Sequence, residues 1–209
     1  MTNKTTSSSA LAAQTIWVIS DGTMGMEVQS LGLAESLSED VRLIHVKPGS
    51  LMRAFPRLAK MGACPMPSSL KDAIKSHGMP DIVITTGRRH APLSMMMRRY
   101  GKGHIKTIHI QDPRMPADWF DWLVVPSHDH LRSDNVLVTL GSLNRMTTLM
   151  SKKQDLPDAV TNMEGRKIVA LIGGSNRRYQ VHDQDYARFG QTLADLASMT
   201  EASLILIPS

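Results

Sequence analysis

Short apolar runs alternate along the chain with stretches of helical periodicity, and this alternation limits the possible folds more than any other feature. The runs are rich in β-branched residues, and several end at Gly, Pro, Asp or Ser, as buried strands do. We predict strands at 15–20, 41–47, 81–86, 105–110, 122–126, 136–139, 167–173 and 203–208. We predict helices between many of them, at 26–39, 50–62, 68–77, 91–101 and 184–200. Because strands that alternate with helices pair in parallel, the predicted fold is an α/β, Rossmann-like, doubly wound parallel sheet.

The alternation is interrupted once, and the interruption suggests how the chain is divided into domains. Residues 145–166 are polar, include Pro157 and Gly165, and have no sustained strand signal. We interpret this segment as a linker between an N-terminal Rossmann-like domain over 15–144 and a second α/β domain that starts at residue 167.

The two ends of the chain lead to further expectations. Residues 167–209 predict one strand–loop–helix–strand unit, which is too small to bury a core alone. We therefore expect the second Rossmann-like domain to be truncated. Residues 1–14 carry one charged side chain, Lys4, and lack the features of a secretory or transit peptide. We expect them to form a disordered leader.

Charge and composition narrow the classes of function. The net charge of +5 allows an anionic partner such as a nucleotide or a phosphorylated sugar. Only 4% of residues are aromatic, which argues against a nucleic-acid partner bound by base stacking. The single cysteine, Cys64, excludes an internal disulfide and fits a reducing compartment, so we predict a cytoplasmic location. No apolar run approaches the roughly 18 residues of a spanning helix, so we expect no transmembrane segment.

The stretch Ser20-Asp21-Gly22-Thr23-Met24-Gly25 joins the first strand to the first helix, and it is the clearest candidate for a ligand-binding turn. Gly22 and Gly25 allow close backbone approach, and the following helix offers unpaired N–H groups to an anion. The spacing matches neither the dinucleotide fingerprint nor a P-loop. Such a turn is also common as a tight corner without a ligand, so the turn alone leaves both interpretations open.

Other strand ends supply the charged groups that such a turn would need in order to bind an anion tightly. A helix terminus stabilises an anion by up to about 2 kcal/mol, whereas micromolar binding needs roughly 8 kcal/mol. Arginines near the strand ends can add charge and paired hydrogen bonds. Ligands of open α/β sheets bind beyond the carboxyl ends of the strands. The candidate ligand-binding residues at these ends are Gly22, Gly25, Gly87, Arg88, Arg89, Gln111, Asp112, Arg114, Gly173, Gly174 and Ser175.

Catalytic and metal-binding groups are harder to assign from the sequence. Asp21 and Asp112 are candidates for acid–base work, although an Asp at a helix entrance is more often an N-cap. His128-Asp129-His130 could ligate a metal, but neighbouring residues point in different directions and no partner stands at a ligand spacing. We therefore predict no metal site.

Six ordered motifs carry a resemblance to a known family. They are SDGTMGMEVQSLGLAESL, TTGRRHAPL, IQDPRMP, VVPSHDH, VLVTLGSLNRMT and ALIGGSNRRY. In order and spacing they resemble the bacterial and plant elongated-mitochondria-type family of mitochondrial fission proteins, from about Trp17 to Ser209. The resemblance implies a glycosyltransferase-B-like architecture of two facing Rossmann-like domains. It places one glycine turn after the first strand and another, Gly173-Gly174-Ser175, at the opening of the second domain.

The resemblance also implies a function, with one departure. It suggests a nucleotide-sugar or other phosphorylated ligand in an inter-domain cleft, with glycosyl transfer as the reaction and Asp21 or Asp112 orienting an acceptor hydroxyl. Beyond that ligand it implies no cofactor. Relatives often carry His after the second glycine of the first turn, whereas this chain has Met26, whose thioether cannot accept a proton. The alternative is therefore a non-enzymatic adaptor that recruits a protein partner through the same fold.

Overall fold

The computed structural model describes residues 13–146, 157–175 and 179–208. These residues belong to two compact units, Met1–Lys153 and Gln154–Ser209. The division falls inside the segment 145–166, while the domain boundaries drawn from the sequence stay a prediction. The leader expected over 1–14 lies almost wholly outside the described residues.

The first unit contains a six-stranded parallel sheet with the order β2-β1-β3-β4-β5-β6. Its strands are β1 Ile16–Ser20, β2 Val41–His45, β3 Ile82–Thr86, β4 Lys106–Ile110, β5 Trp122–Pro126 and β6 Val136–Thr139. Its helices are α1 Met24–Leu37, α2 Ser50–Ala54, α3 Pro56–Met61, α4 Ser68–His77 and α5 Ala91–Tyr100, with a 3-10 turn at Ala117–Trp119. Strands and helices alternate as expected, so the predicted doubly wound α/β class is confirmed.

Both faces of this sheet are covered, and the alternation of side chains along β1 shows how. Trp17 and Ile19 face one core, which also includes Leu93 and Met97 of α5. Ile16 and Val18 face the opposite core, against which Leu31 and its neighbours on α1 pack. All five residues of β1 are buried, and its sequence is accordingly an almost continuous apolar run. Strands of a parallel sheet that is covered on both faces commonly have such sequences.

One predicted helix is interrupted. The sequence pattern predicts a single helix over 50–62, but the structure has α2 and α3, separated at Phe55. Phe55 precedes a proline and has φ −129° and ψ 73°, outside the helical region. The residue before a proline is driven away from helical geometry, and proline has no N–H to donate. The helical prediction over 50–62 is therefore wrong at this point.

The second unit is smaller. It contains α6 Asp158–Thr161, β7 Arg166–Ile172, α7 Asp183–Thr200 and β8 Ala202–Pro208. β7 and β8 pair in parallel, with Arg166 opposite Ala202 and Ile172 opposite Pro208. This is the strand–loop–helix–strand unit that the sequence predicts.

Candidate functional site

The site lies where the winding of the first sheet reverses. β1 and β3 are neighbours, and the helices that follow them, α1 and α5, pack against opposite faces of the sheet. At such a switch point the two crossover connections leave a crevice beyond the carboxyl ends of the strands, where ligands of open α/β sheets bind. The turns after β1, β3 and β4 all stand at this edge.

The turn after β1 is held by its own polar side chains. The Gly22 N–H donates to Ser20 Oγ at 3.1 Å, and Gly22 has φ +92°, which favours glycine. The N–H and hydroxyl of Thr23 both donate to Asp21 Oδ1, at 3.1 and 2.6 Å. The N-cap of α1 is Thr23, whose side chain makes no capping bond. The start of this helix is therefore open to an anion.

The turn after β3 requires its glycine for two reasons. Gly87 has φ +79°, and its N–H donates to the Ile110 carbonyl at 3.0 Å. A methyl group built on Gly87 would lie 2.9 Å from Sδ and Cε of Met26. Met26 thus packs against the Gly87 backbone, and it joins the turns after β1 and β3. In contrast, a methyl group built on Gly25 would have no atom within 4 Å.

The turn after β4 is conformationally strained. Gln111 has φ +74° and Arg114 has φ +57°, both in the left-handed region that residues other than glycine seldom adopt. The Gln111 N–H donates to the Val124 carbonyl at 2.8 Å, and its side-chain amide donates to Gln29 of α1 at 3.3 Å. Strain of this kind persists where surrounding bonds enforce it, and such residues cluster at ligand sites.

The two candidate carboxylates, Asp112 and Asp21, have different hydrogen-bond and ion-pair partners. Asp112 Oδ1 accepts the Arg114 N–H at 2.7 Å, and Oδ2 lies 3.2 Å from Arg114 Nε, so Arg114 engages both of its oxygens. Asp21 instead accepts from Thr23 through Oδ1. The Thr23 hydroxyl holds the pKa of the Asp21 carboxyl below its ordinary value; burial opposes this effect, and the facing His90 adds to it. Asp21 is therefore an ionised acceptor in neutral solution.

The predicted arginines lie exposed in the turns after β3 and β4. Arg88 and Arg89 follow Gly87 directly, and both side chains are exposed. Within the described residues neither of them forms an ion pair, so their charge is free to meet a ligand. Arg114, which is 69% exposed, already pairs with Asp112 and offers less free charge.

A pocket of about 620 Å³ opens beside the turn after β1. Asp21 forms part of its wall, together with His45 at the end of β2, Lys47 after it, and the apolar side chains of Met52 and Met66. His45 Nε2 lies 2.8 Å from the Glu27 carboxylate, so that imidazole is already engaged. The volume falls within the usual range of small-molecule sites. The sequence assigns a role to Asp21 alone among these residues, because the others carry no motif.

His90 is a further residue near Asp21 to which the sequence assigns no role. Its side chain is 1% exposed, its Nδ1 lies 2.9 Å from the Thr86 carbonyl oxygen, and its Nε2 lies 3.6 Å from Asp21 Oδ1. Its position after a strand-end glycine is visible in the sequence. The pairing with Asp21 brings together residues far apart in the chain, so no local signal could show it.

The predicted residues of the second unit form a local turn. Gly173 and Gly174 are exposed, and the Gly173 carbonyl accepts the Tyr186 hydroxyl at 3.2 Å. Ser175 Oγ accepts the Val181 N–H at 2.9 Å. These bonds tie the turn to the segment that leads into α7.

Neither a metal-binding cluster nor a membrane-spanning helix is found among the described residues. Over residues 13–146, 157–175 and 179–208, no group of three or more His, Cys, Asp or Glu side chains could hold a metal ion. Over those same ranges, no helix is both long and apolar enough to cross a membrane.

Comparison with known proteins adds one relative and one structure. The chain is 30% identical to an uncharacterized protein of Rickettsia prowazekii over 115 residues, which is 55% of this chain and 32% of that protein. In fold it is similar to the S. aureus MnaA-UDP co-structure, with a TM-score of 0.50 and 14% identity. That match covers 93% of this chain and 62% of the MnaA chain, so this chain spans less than two thirds of either protein.

The family assignment rests on a longer match. Residues 24–209 match the family described as Mitochondrial fission ELM1, a range that begins at the first residue of α1 and includes the turns after β3 and β4 and the second unit. The fold similarity agrees with the Rossmann-like, glycosyltransferase-B-like class expected from the motifs. The chain belongs to the Mitochondrial fission ELM1 family.

Proposed function

We propose that this protein binds a nucleotide-sugar or a related phosphorylated ligand, and that glycosyl transfer is the reaction which the site would serve. One observation carries the proposal: three turns with positive φ at Gly22, Gly87 and Gln111 converge at the switch point of the sheet. They stand beside an uncapped helix start and two free arginines. The UDP present in the MnaA co-structure supports a uridine nucleotide as the first ligand to test.

The phosphates of this ligand would meet two kinds of donor. The open N–H groups at the start of α1 favour negative charge, although a helix terminus contributes only about 2 kcal/mol at most. Arg88 and Arg89 would add charge-assisted, paired hydrogen bonds. The inter-domain cleft that the family resemblance implies, the participation of Gly173, Gly174 and Ser175, and a cytoplasmic location remain parts of this proposal.

An adaptor function is the second candidate, and Met26 favours it. Met26 fills the space over Gly87 at the position where relatives often have His. Its thioether is no proton acceptor, so the turn after β1 contributes no base there. An adaptor would recruit a protein partner through the same fold and would not need a nucleotide.

A titration distinguishes the two candidates. The melting temperature of the chain is measured against UDP and a panel of UDP-sugars, for the native sequence and for Arg88→Ala. A ligand that binds the native state raises the melting temperature in a saturable way. We expect this for the native sequence, with affinity reduced about tenfold or more in Arg88→Ala because a charge-assisted bond is lost.

The control is Arg57→Ala, which removes an exposed arginine on α3 outside the site. It should leave the ligand response unchanged. A flat response of a demonstrably folded protein to every nucleotide would contradict the proposal and favour the adaptor. Equal losses in both arginine variants would mean that only net charge matters and that the site is misplaced.

A further inference from the structure

His90 presents an unsatisfied nitrogen to the candidate site. Its Nδ1 lies 2.9 Å from the Thr86 carbonyl oxygen. Since a carbonyl oxygen only accepts hydrogen bonds, Nδ1 must carry the hydrogen. Nε2 then carries a hydrogen only when the ring is cationic. Nε2 is fully buried and, within the described part of the chain, has no hydrogen-bond partner.

The Asp21 carboxylate is the group that faces this nitrogen. Asp21 Oδ1 lies 3.6 Å from Nε2, and that side chain is 18% exposed. A neutral His90 would set the lone pair of Nε2 against an ionised carboxylate, which is unfavourable in a buried site. A proton on Nε2 turns the same contact into an attractive ion pair. The geometry therefore favours a proton held between His90 and Asp21.

The other titratable groups around the pair leave this contact undisturbed. His109 on β4 stays neutral because burial lowers its pKa to about 3, so it adds no positive charge beside His90. His45 is bonded to Glu27, and Lys47 lies on the pocket wall that also includes Asp21. Arg88 and Arg89 next to His90 in the chain are exposed.

The pocket beside Asp21 is suited to a polyhydroxylated group. The carboxylate on its wall can accept hydrogens from hydroxyl groups, and Lys47 can donate hydrogen bonds to their oxygens. The partly buried Met66 offers apolar surface on which the face of a sugar ring can pack. Asp112 is not among the residues that line this pocket, and Arg114 engages both of its oxygens.

We propose that the pocket beside Asp21 binds the sugar of the nucleotide-sugar, that the Asp21 carboxylate accepts a sugar hydroxyl, and that His90 is the positioning residue which holds this carboxylate. The proposal rests on the nucleotide-sugar function stated above and names the residues that recognise the sugar. UDP alone would bind without this pair, and the sugar would add affinity through it.

The measured quantity is the ratio of the dissociation constants for UDP and for a UDP-sugar, with UDP-glucose and UDP-N-acetylglucosamine as probes. For the native chain we expect at least one of the two sugars to bind about tenfold tighter than UDP, the effect of one hydrogen bond to a charged group. Asp21→Asn should abolish this gain, so that UDP and the UDP-sugar bind with the same dissociation constant. Asp118→Asn, which changes an exposed carboxylate on the 3-10 turn, should keep the gain.

Two substitutions of His90 separate positioning from mere packing. In His90→Gln the side-chain amide can stand near the place of Nε2 as a permanent donor, so the gain should persist. In His90→Asn the amide can replace Nδ1 against Thr86 but reaches no further, so the gain should be lost.

A ligand-free measurement keeps the test decisive if a variant does not fold. Nitrogen NMR of the native histidine rings should show a hydrogen on His90 Nδ1, as its contact with the Thr86 carbonyl oxygen requires. A neutral ring with its hydrogen on Nε2 would overturn the proposal. So would a sugar gain that survives Asp21→Asn.

The outcomes also separate this inference from the proposed function. If UDP binds and neither sugar adds affinity, the sugar pocket is wrong while nucleotide binding stands. If neither UDP nor the UDP-sugars bind, the proposed function is wrong, and the assignment of the pocket is wrong with it.

Discussion

His109 is a single residue on which the pH stability of the sheet depends. It lies on β4, fully buried, with Nδ1 2.7 Å from the Thr85 hydroxyl and its ring 5.1 Å from the Phe120 ring centroid. Burial, with a smaller contribution from the neighbouring His90, lowers the pKa of His109 from 6.5 to about 3. The folded protein therefore keeps this imidazole neutral under conditions in which an unfolded chain would protonate it.

The consequence is a loss of stability at acid pH. Between pH 6.5 and about 3 the unfolded chain binds one proton at this position and the folded chain does not. The free energy of unfolding should then fall as the pH falls, by up to about 1.4 kcal/mol per pH unit from this group. Above pH 6.5 the group should have no effect. Urea unfolding of the native chain and of His109→Gln, from pH 7.5 to 4, measures the difference in slope.

The matched control is His104→Gln, since His104 is exposed. It should retain the native slope, whereas His109→Gln should flatten it, whatever its stability at pH 7.5. Equal slopes in all three proteins would show that His109 is protonated in the folded state.

At the scale of residues, the sequence indicated the glycine turns of the candidate site, and the reason lies in local geometry. Gly22 and Gly87 stand next to strand ends, and their positive φ is a local property that glycine signals. The roles of individual side chains are not local: Asp112 is engaged by Arg114, and His90 faces Asp21 across the switch point. Such pairings depend on the three-dimensional packing, so a single sequence could not reveal them.

Helix α1 is fixed against the end of the first sheet by a contact that depends on Gly32. A methyl group built on Gly32 would lie 2.1 Å from the carbonyl oxygen of Asn144 and 2.6 Å from its carbonyl carbon. One residue further on, the Arg145 guanidinium pairs with the Glu35 carboxylate of α1, with Nε 2.7 Å from Oε2. The segment after β6 therefore lies directly on the backbone of α1.

Gly32→Ala should reverse the usual effect of this substitution. Alanine inside a helix is ordinarily better than glycine by about 1 kcal/mol. Here the clash is with backbone, which cannot move aside cheaply, so we expect a loss of roughly 2 kcal/mol or more. Chemical denaturation monitored by circular dichroism gives the difference. Gly190→Ala in α7, where the new methyl would meet nothing within 4 Å, should instead be neutral or stabilising.

At the scale of elements, the strands were more predictable than the helices. The burial of β1 and β3 on both faces produces β-branched apolar runs that predict both strands to within one residue. α5 also fits its pattern, with Met95, Met96 and Met97 all buried in the core. The break at Phe55 was missed because the apolar periodicity continues through it, although Pro56 gave a local signal.

At the scale of the whole molecule, the two units differ in how well they bury their strands. In the first unit all residues of β1 and β3 are buried. In the second unit the parallel pair of β7 and β8 leaves Leu171 76% exposed, and Val169 and Leu206 more than half exposed. Parallel sheets are ordinarily covered on both faces, so the second unit is weakly stabilised in comparison.

Amide hydrogen exchange should reveal this difference directly. Exchange in buried core strands requires large or global unfolding, whereas poorly buried strands open locally at low cost. We expect peptides from β1 and β3 to exchange at least tenfold more slowly than peptides from β7 and β8. β6 pairs with β5 alone and should be intermediate. If β7 and β8 were protected as strongly as β1, a surface that covers their apolar side chains would have to exist in solution. Dilution would then show whether another copy of the chain provides it, because protection from self-association falls with protein concentration.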